Sequence, residues 1–464
     1  MAKPRTIGEL RQSEYQVVSV KEEMRRNLAR KIRAGEELFP GIVGYEDTVI
    51  PQLENAVMSG QDVIFLGERG QAKTRLARAL VNLLDEETPV IAGCDVNDNP
   101  YAPICQECRA KVAEHDDLTE IAWLPRDRRY GEKLATPDIT IADLIGEVDP
   151  IKVAEGRYLS DELTIHYGLL PRTNRGIFCL NELPDLAERI QVGLLNIMEE
   201  RDVQIRGYKV RLPLDVFVVA SANPEDYTNR GRIITPLKDR FGSQIRTHYP
   251  QTLEHEIAIM EQEYARFPSD GHEVGVPFFM KEIIAELTHL ARKNPDISQR
   301  SGVSVRVSIC NYENLISNAT RRALRLNERE VCPRVSDLPA VVASTLGKIE
   351  LEAIGEAKED RLIERLIQGA VVNVFNRYFM VHEFDELLRA FDNGLSVDVG
   401  DTMPAMDYAL QAAQMPGLRN AIAKLGAGNN PAMIASAVEF VLEGLHLNRR
   451  LNKDRAEGRA RYRR

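Results

Sequence analysis

Between residues 39 and 250 short apolar runs alternate with helical stretches, and the runs are continuous: VIFLG at 63–67, GIFCLNE at 176–182 and VFVVASAN at 216–223. Uninterrupted runs of this length are the pattern of parallel strands buried on both faces. Ahead of them Met24, Leu28 and Ile32 recur every four residues among Arg and Lys, which predicts a charged helical arm within residues 1–38 carrying one apolar strip. Beyond residue 251 the strand signals fade. Amphipathic helices are expected over 279–292, 306–324, 337–354 and 361–378, in two helical modules. After a turn-rich stretch flanked by Gly394 and Gly400, a last helical group covers 407–413, 418–424 and 431–447. The pattern predicts an α/β core over 39–250, an all-α lid over 251–354 and a C-terminal helical extension over 355–464. No repeat or low-complexity tract is visible.

Composition narrows this picture. The 464 residues are 44% hydrophobic and 28% charged, the balance of a globular chain long enough for more than one core. A net charge of −10 argues against a general nucleic-acid coat. The basic residues from Arg449 to the C-terminus read as a solvated helix end or frayed tail. The N-terminal residues lack the apolar run of a signal peptide, and no segment sustains the roughly 18 apolar residues needed to cross a membrane. Six cysteines without dense spacing fit a reducing compartment, and a cytoplasmic location is expected.

The strongest chemical signal is GERGQAKT at 67–74, directly after an apolar strand and before a helix expected over 75–84. It satisfies G-x-x-x-x-[GA]-K-[ST], the phosphate loop. Backbone N–H groups around Gly70 and the helix N-terminus cradle phosphate, Lys73 neutralises its oxygens, and the Thr74 hydroxyl faces Mg²⁺. Ala72 stands where glycine is commoner; its methyl group is small enough to leave the amides aimed at phosphate.

About a hundred residues later a second apolar strand ends in Asn181 and Glu182. In a phosphate-loop sheet this tip lies beside the loop, where the first residue holds Mg²⁺ through water and the second serves as general base. Glu182 suits the base. Asn181 offers an oxygen without a charge, which would slow hydrolysis or leave the metal mainly to Thr74 and phosphate. A third strand tip supplies Asn223, which can orient the same water, and Arg240 and Arg306 follow in order.

These motifs, in this order, resemble the AAA+ ATPases of the MoxR and magnesium-chelatase I-subunit group over residues 39–319. FPGIVGYEDTV looks like the adenine-side box, with Ile42 and Val43 at the nucleotide. Gly67, Glu68, Arg69, Gly70, Gln71, Ala72, Lys73 and Thr74 resemble the family's alanine-bearing loop. DLIGEVDP resembles the segment before a helix-2 insert expected over 155–170, and residues 202–211 resemble the hairpin before the first sensor. NPEDYTNRGRIITPLKDRFG and GVSVR are similar to the sensor, arginine-finger and second-sensor stretches.

The resemblance implies an α/β P-loop AAA+ core followed by an all-α lid and a C-terminal extension. It implies ATP and Mg²⁺ as ligands, Asn223 as first sensor, Arg240 as a finger reaching a neighbouring subunit, and Arg306 as second sensor. It further implies a homo-oligomeric, hexameric ring that acts as a chaperone on a client, typically beside a von Willebrand A-domain protein, and in some members helps insert a metal. Where the family usually has Asp, this chain has Asn181, so a nucleotide-binding assembly switch with weak hydrolysis stays open. A sigma-factor-dependent transcription activator has a similar core but carries a GAFTGA loop, and no such run occurs here.

Cys94, Cys105, Cys108 and His115 offer four zinc ligands in an insertion of the core. Their uneven spacing favours reduced, unbound thiols.

Overall fold

The computed structural model describes residues 3–149, 151, 154, 162–200, 202–204, 211–223, 232–266, 271–298, 302–351, 356–456 and 459–464. They form two compact units, Met1–His248 and Tyr249–Arg464.

The strands of the first unit are, in chain order, β1 (Val63–Leu66), β2 (Glu87–Ile91), β3 (Ile121–Pro125), β4 (Tyr130–Leu134), β5 (Gly146–Val148), β6 (Ile165–Tyr167), β7 (Gly176–Asn181), β8 (Asp202–Gln204), β9 (Arg211–Pro213), β10 (Val216–Ala222) and β11 (Ser243–Arg246). Five of them make the expected sheet, in the order β11-β1-β10-β7-β4, every pair parallel. All residues of β7 and β10 are buried. Their alternate side chains sort into two cores: Phe178, Leu180, Val218 and Ala220 lie in one, and Ile177, Cys179, Phe217 and Val219 in the other. Both faces are therefore apolar, and this is why the runs read as continuous. β8 and β9 form the expected hairpin pairing; residues 205–210, and 155–161 of the expected insert, lie outside the described residues.

The N-terminal arm belongs to this unit. Its helices are α1 (Ile7–Gln12) and α2 (Val20–Ala34), followed by α3 (Val49–Met58), α4 (Lys73–Ala79) and α5 (Gln106–His115). The Ser19 hydroxyl caps α2 by accepting from the Glu22 N–H. Val20, Met24 and Leu28 join one of the two cores, while Ile32 remains 48% exposed, so the apolar strip is one turn shorter than expected. On the same helix the buried Glu23 takes both terminal nitrogens of buried Arg129, at 2.7 and 2.6 Å. Bidentate pairing offsets the cost of burying both charges.

In the second unit the helices Phe278–Lys293, Arg306–Leu326, Glu356–Tyr378 and Pro431–Leu447 enclose one apolar cluster running from Ile257 to Tyr462. Phe279 stacks on Phe440 at 4.5 Å. Gly444 lets two of the helices touch: a Cβ there would sit 2.1 Å from the Phe375 ring. The residues expected as a lid and those expected as a separate extension thus share a core. Strands also persist beyond residue 251. β12 (Glu273–Val274) pairs with β13 (Glu330–Val331), while β14 (Val397–Gly400), β15 (Asn452–Ala456) and β16 (Arg459–Arg463) make an antiparallel sheet in the order β14-β16-β15. Among the described residues no helix is long and apolar enough to cross a membrane.

That last sheet corrects the reading of the basic tail, which is neither frayed nor helical. Arg461 pairs bidentately with Asp398, at 2.7 and 3.0 Å, and Tyr462 turns inward, 1% exposed, its hydroxyl donating to Glu443. Truncating a buried aromatic costs about 3–5 kcal/mol, whereas an exposed ion pair contributes at most about 1 kcal/mol. Tyr462→Ala is therefore expected to lower unfolding stability of the full chain by about 3–5 kcal/mol in urea titrations, and Arg461→Ala by less than about 1 kcal/mol.

Candidate functional site

β1, β10 and β7 run parallel in register, with Leu66 opposite Ala222 and Ala220 opposite Leu180. Their C-terminal tips therefore release Gly67, Asn223 and the Asn181-Glu182 pair side by side. The Gly67 N–H is bonded to the Ala222 carbonyl at 3.1 Å. Gly67 has no room for a side chain: a Cβ would lie 2.0 Å from Thr247 Oγ1 and 2.2 Å from Gln71 Oε1. Thr247 Oγ1 donates to Gln71 Oε1 at 2.7 Å, and the Tyr45 hydroxyl lies 2.9 Å from the Gln71 carbonyl and 2.7 Å from that of His248. Burial pushes the Tyr45 phenol up to about 12, so it stays a neutral donor near pH 7. Ile42 shares the Phe39, Tyr45 and Val49 core, placing the segment expected at the nucleotide beside the loop; Val43 is half-buried next to it.

The loop ends at Ala72, whose φ of +54° lies in the left-handed region, and Lys73 and Thr74 open α4. The expected helix 75–84 thus starts two residues earlier, and past Ala79 it tightens to a 3₁₀ turn at Leu80–Leu83. A cleft of about 450 Å³ adjoins the loop, lined by Gly67, Glu68, Gln71 and Thr247, with Lys238 and Arg246 as cations. Glu68 is half-buried and Arg69 is exposed.

Buried Lys73 connects the tips. Its ammonium donates to the Gly67 carbonyl, to the Glu68 carbonyl at 2.8 Å and to Asn223 Oδ1 at 2.7 Å. The Asn223 amide in turn donates to Glu182 Oε2 at 2.5 Å. Glu182 adopts φ +57°, ψ 45°, a conformation that costs an L-residue about 1–2 kcal/mol and that concentrates at functional positions. Ser221 Oγ accepts from the Glu182 N–H at 3.2 Å.

Asn181 Oδ1 lies 3.5 Å from Thr74 Oγ1 and 3.3 Å from Ser221 Oγ, both donating toward it. Its amide nitrogen donates to Glu132 Oε1 at 2.7 Å. Glu132, on β4, was not foreseen. The register sets it opposite Cys179, two residues before Asn181 and on the same face. Arg78 of α4 grips it bidentately, at 2.7 and 2.9 Å. Because an ionised carboxylate only accepts, Glu132 fixes which end of the Asn181 amide faces Thr74. Nothing in the local spacing of EKL at 132–134 marks this contact; it exists only once the strands are paired.

The remaining candidates lie elsewhere. Arg240 closes the helix Thr235–Arg240 and binds Glu199 at 2.6 Å and Asp239 at 3.1 Å, not Lys73, Asn223 or Glu182. Residues 224–231, the start of the sensor and finger stretch, lie outside the described residues, as does Ser301 ahead of the second-sensor motif. Arg306, itself exposed, is the first residue of the helix Arg306–Leu326 in the second unit. Cys94, Cys105 and Cys108 do converge, but the fourth group with them is Asp98. His115, expected there, closes the far end of α5, two helical turns beyond Cys108.

Residues 155–240 match the family model for the Sigma-54 interaction domain. The chain is 28% identical over 242 residues to the chloroplastic magnesium-chelatase subunit ChlI-2 of Arabidopsis thaliana, covering 51% of this chain and 54% of that one. It is 24% identical over 351 residues to the magnesium-chelatase subunit ChlI of Nephroselmis olivacea, covering 71% and 94%. Among solved structures it is similar to a complex of the magnesium-chelatase subunits BchI and BchD, at 21% identity and a TM-score of 0.36, covering 72% and 95%.

Two outcomes follow from the geometry. Ala72→Gly removes the left-handed penalty of about 1–2 kcal/mol and adds unfolded-chain entropy of about 0.4–1 kcal/mol, so a net gain of about 0.5–1 kcal/mol is expected by chemical denaturation. Asn181→Asp sets a second carboxylate against Glu132 and is expected to cost about 1–3 kcal/mol near pH 7. Adding Glu132→Gln should return at least about 1 kcal/mol of that, read from the double-mutant cycle.

Proposed function

We propose, for a chain that belongs to the AAA+ ATPases of the magnesium-chelatase and MoxR-like group, that ATP bound at residues 67–74 is hydrolysed with Glu182 as the base. The observation that carries this reading is the continuous run from the Lys73 ammonium through the Asn223 amide to the Glu182 carboxylate.

Each residue then has a task its position supports. The backbone N–H groups of the loop and of the α4 N-terminus would hold phosphate, and Lys73 supplies the positive charge. Mg²⁺, when bound, would draw charge from the phosphate oxygens, and Thr74 Oγ1 and Asn181 Oδ1, 3.5 Å apart, are the protein oxygens that would hold it. Glu182 takes the proton of the attacking water, and the Asn223 amide holds that carboxylate in place. Asn223 is thus the first sensor, linking the base to Lys73.

Arg240 is the finger and Arg306 the second sensor in this reading. The Arg240 side chain is 34% exposed and its bonds are to acidic surface residues rather than to its own catalytic run. An arginine placed in this way fits completion of a neighbouring subunit's site, and so a homo-oligomeric, hexameric ring. The ring would work in the cytoplasm as a chaperone-like motor that remodels or activates a client, such as a von Willebrand A-domain protein, in one version for metal insertion. A second reading, an assembly switch with weak hydrolysis, is favoured by the uncharged Asn181 and by Arg78 neutralising the nearby Glu132.

Lys73→Ala and Glu182→Gln should each lower Mg²⁺-dependent ATP turnover at least about a hundredfold, with Glu182→Gln retaining nucleotide. Unchanged turnover in either would sink the assignment. Turnover is expected to rise with protein concentration. Rings that mix Arg240→Ala with Glu182→Gln subunits should recover part of the rate, because some interfaces then pair an intact base with an intact finger. Verified mixed rings with no recovery would remove Arg240 from a role in trans.

A further inference from the structure

The connection from β2 to β3 holds a cluster that the nucleotide site does not use. Cys94, Asp98, Cys105 and Cys108 each offer one ligand atom, and these atoms all lie within 4.8 Å of one another. Asp98 and Cys108 are fully buried, Cys105 nearly so, and every cysteine of the chain is a free thiol.

The Asp98 carboxylate is the telling group. Its Oδ2 accepts from the Ile104 and Cys105 N–H groups at 3.1 and 3.0 Å, which locks the side chain. Its Oδ1 is buried and has no hydrogen-bond partner. A buried carboxylate oxygen left unmatched costs more than about 1–3 kcal/mol unless something positive meets it. A disulfide between two of the thiols would do nothing for that oxygen. A cation at the centre of the four groups satisfies it.

We infer that Cys94, Cys105, Cys108 and Asp98 form a closed structural site for a single Zn²⁺ ion. Bonds of about 2.3 Å to sulfur and about 2.0 Å to oxygen set tetrahedral ligand atoms about 3.5–3.8 Å apart, inside the observed spread. Two backbone donors already face the sulfurs, Asp98 N–H to Cys94 Sγ at 3.3 Å and Cys108 N–H to Cys105 Sγ at 3.4 Å, and such donors stabilise thiolate charge. Cys105 caps α5, so the positive end of a ten-residue helix adds to the same effect. The ion ties the Cys94–Asp98 turn, which reaches β2 through Ile91 N–H to the Asp98 carbonyl at 3.1 Å, to the start of α5.

The test uses the full chain, purified with reductant and without chelator, and reads metal by elemental analysis. The expected result is about one zinc per chain, released together with three thiols by a mercurial reagent. Cys105→Ala should lose the zinc, Asp98→Asn should bind it at least about tenfold more weakly, and His115→Ala should keep it unchanged. If the variants fail to fold, the wild type still decides: stripping zinc should lower the melting temperature of the full chain, and zinc alone should restore it. Absence of zinc both after purification and after titration with Zn²⁺ would overturn the site. So would stoichiometric iron in its place, a Cys94–Cys105, Cys94–Cys108 or Cys105–Cys108 disulfide in the fresh protein, or full zinc retention in a folded Cys105→Ala.

Discussion

The bond between the Lys73 ammonium and Asn223 Oδ1 is the contact on which the phosphate-loop end of the first unit depends. Lys73 is only 8% exposed, and taking an ammonium out of water costs several kcal/mol unless acceptors replace its shell. Two of its acceptors are the carbonyls of Gly67 and Glu68, on its own loop; the third arrives from a different strand. That third acceptor exists only because β1 and β10 pair in parallel with Leu66 opposite Ala222, so that both chains leave the sheet at the same height. A slip of one residue would turn Asn223 to the other face and leave the ammonium short of a partner. The sheet register and the loop are in this sense one structure.

The same edge concentrates backbone strain. Ala72 and Glu182 both have positive φ, at +54° and +57°, in positions that glycine or asparagine adopts more cheaply. Together they cost about 2–4 kcal/mol, set against strands whose every side chain is buried on one face or the other. The strain has a geometric return. At Ala72 the reversed backbone lets α4 begin at once with Lys73, and at Glu182 it turns the carboxylate back toward Asn223 instead of onward along the strand.

Much of this was legible in the sequence because the signals are local. Continuous apolar runs mark strands buried on both faces, and a lysine-threonine pair between strand and helix marks the loop. Contacts that depend on strand pairing were not. Glu132 looks like an ordinary surface acid in its own segment and becomes part of a constellation only when β4 pairs with β7; Asp98 meets Cys94, Cys105 and Cys108 within ten residues, through an irregular turn that no periodicity announces. The tail was misread for another reason. RARYR over 459–463 alternates charged and uncharged side chains, a strand period with Tyr462 as its buried member, but the charge density outweighed the period. The helices beyond residue 354 were foreseen as helices, yet nothing in their periodicity says that Phe440 will stack on Phe279 and merge them into the same core.

Asn181 is best understood through its neighbours. Glu132 and Arg78 already place one negative and one positive charge beside it, with the carboxylate 2.7 Å from the Asn181 amide. An aspartate at this position would meet Glu132 oxygen against oxygen, and two carboxylates at that distance cannot both stay ionised at low cost. Asparagine resolves the conflict. It donates to Glu132 with one end and presents a carbonyl oxygen toward Thr74 with the other, so the negative charge stands one strand farther from Thr74 but is still coupled to the same amide. The missing charge at 181 and the unexpected carboxylate at 132 are therefore a single feature, in which the acidic group of this strand tip sits on β4 and is paired with Arg78.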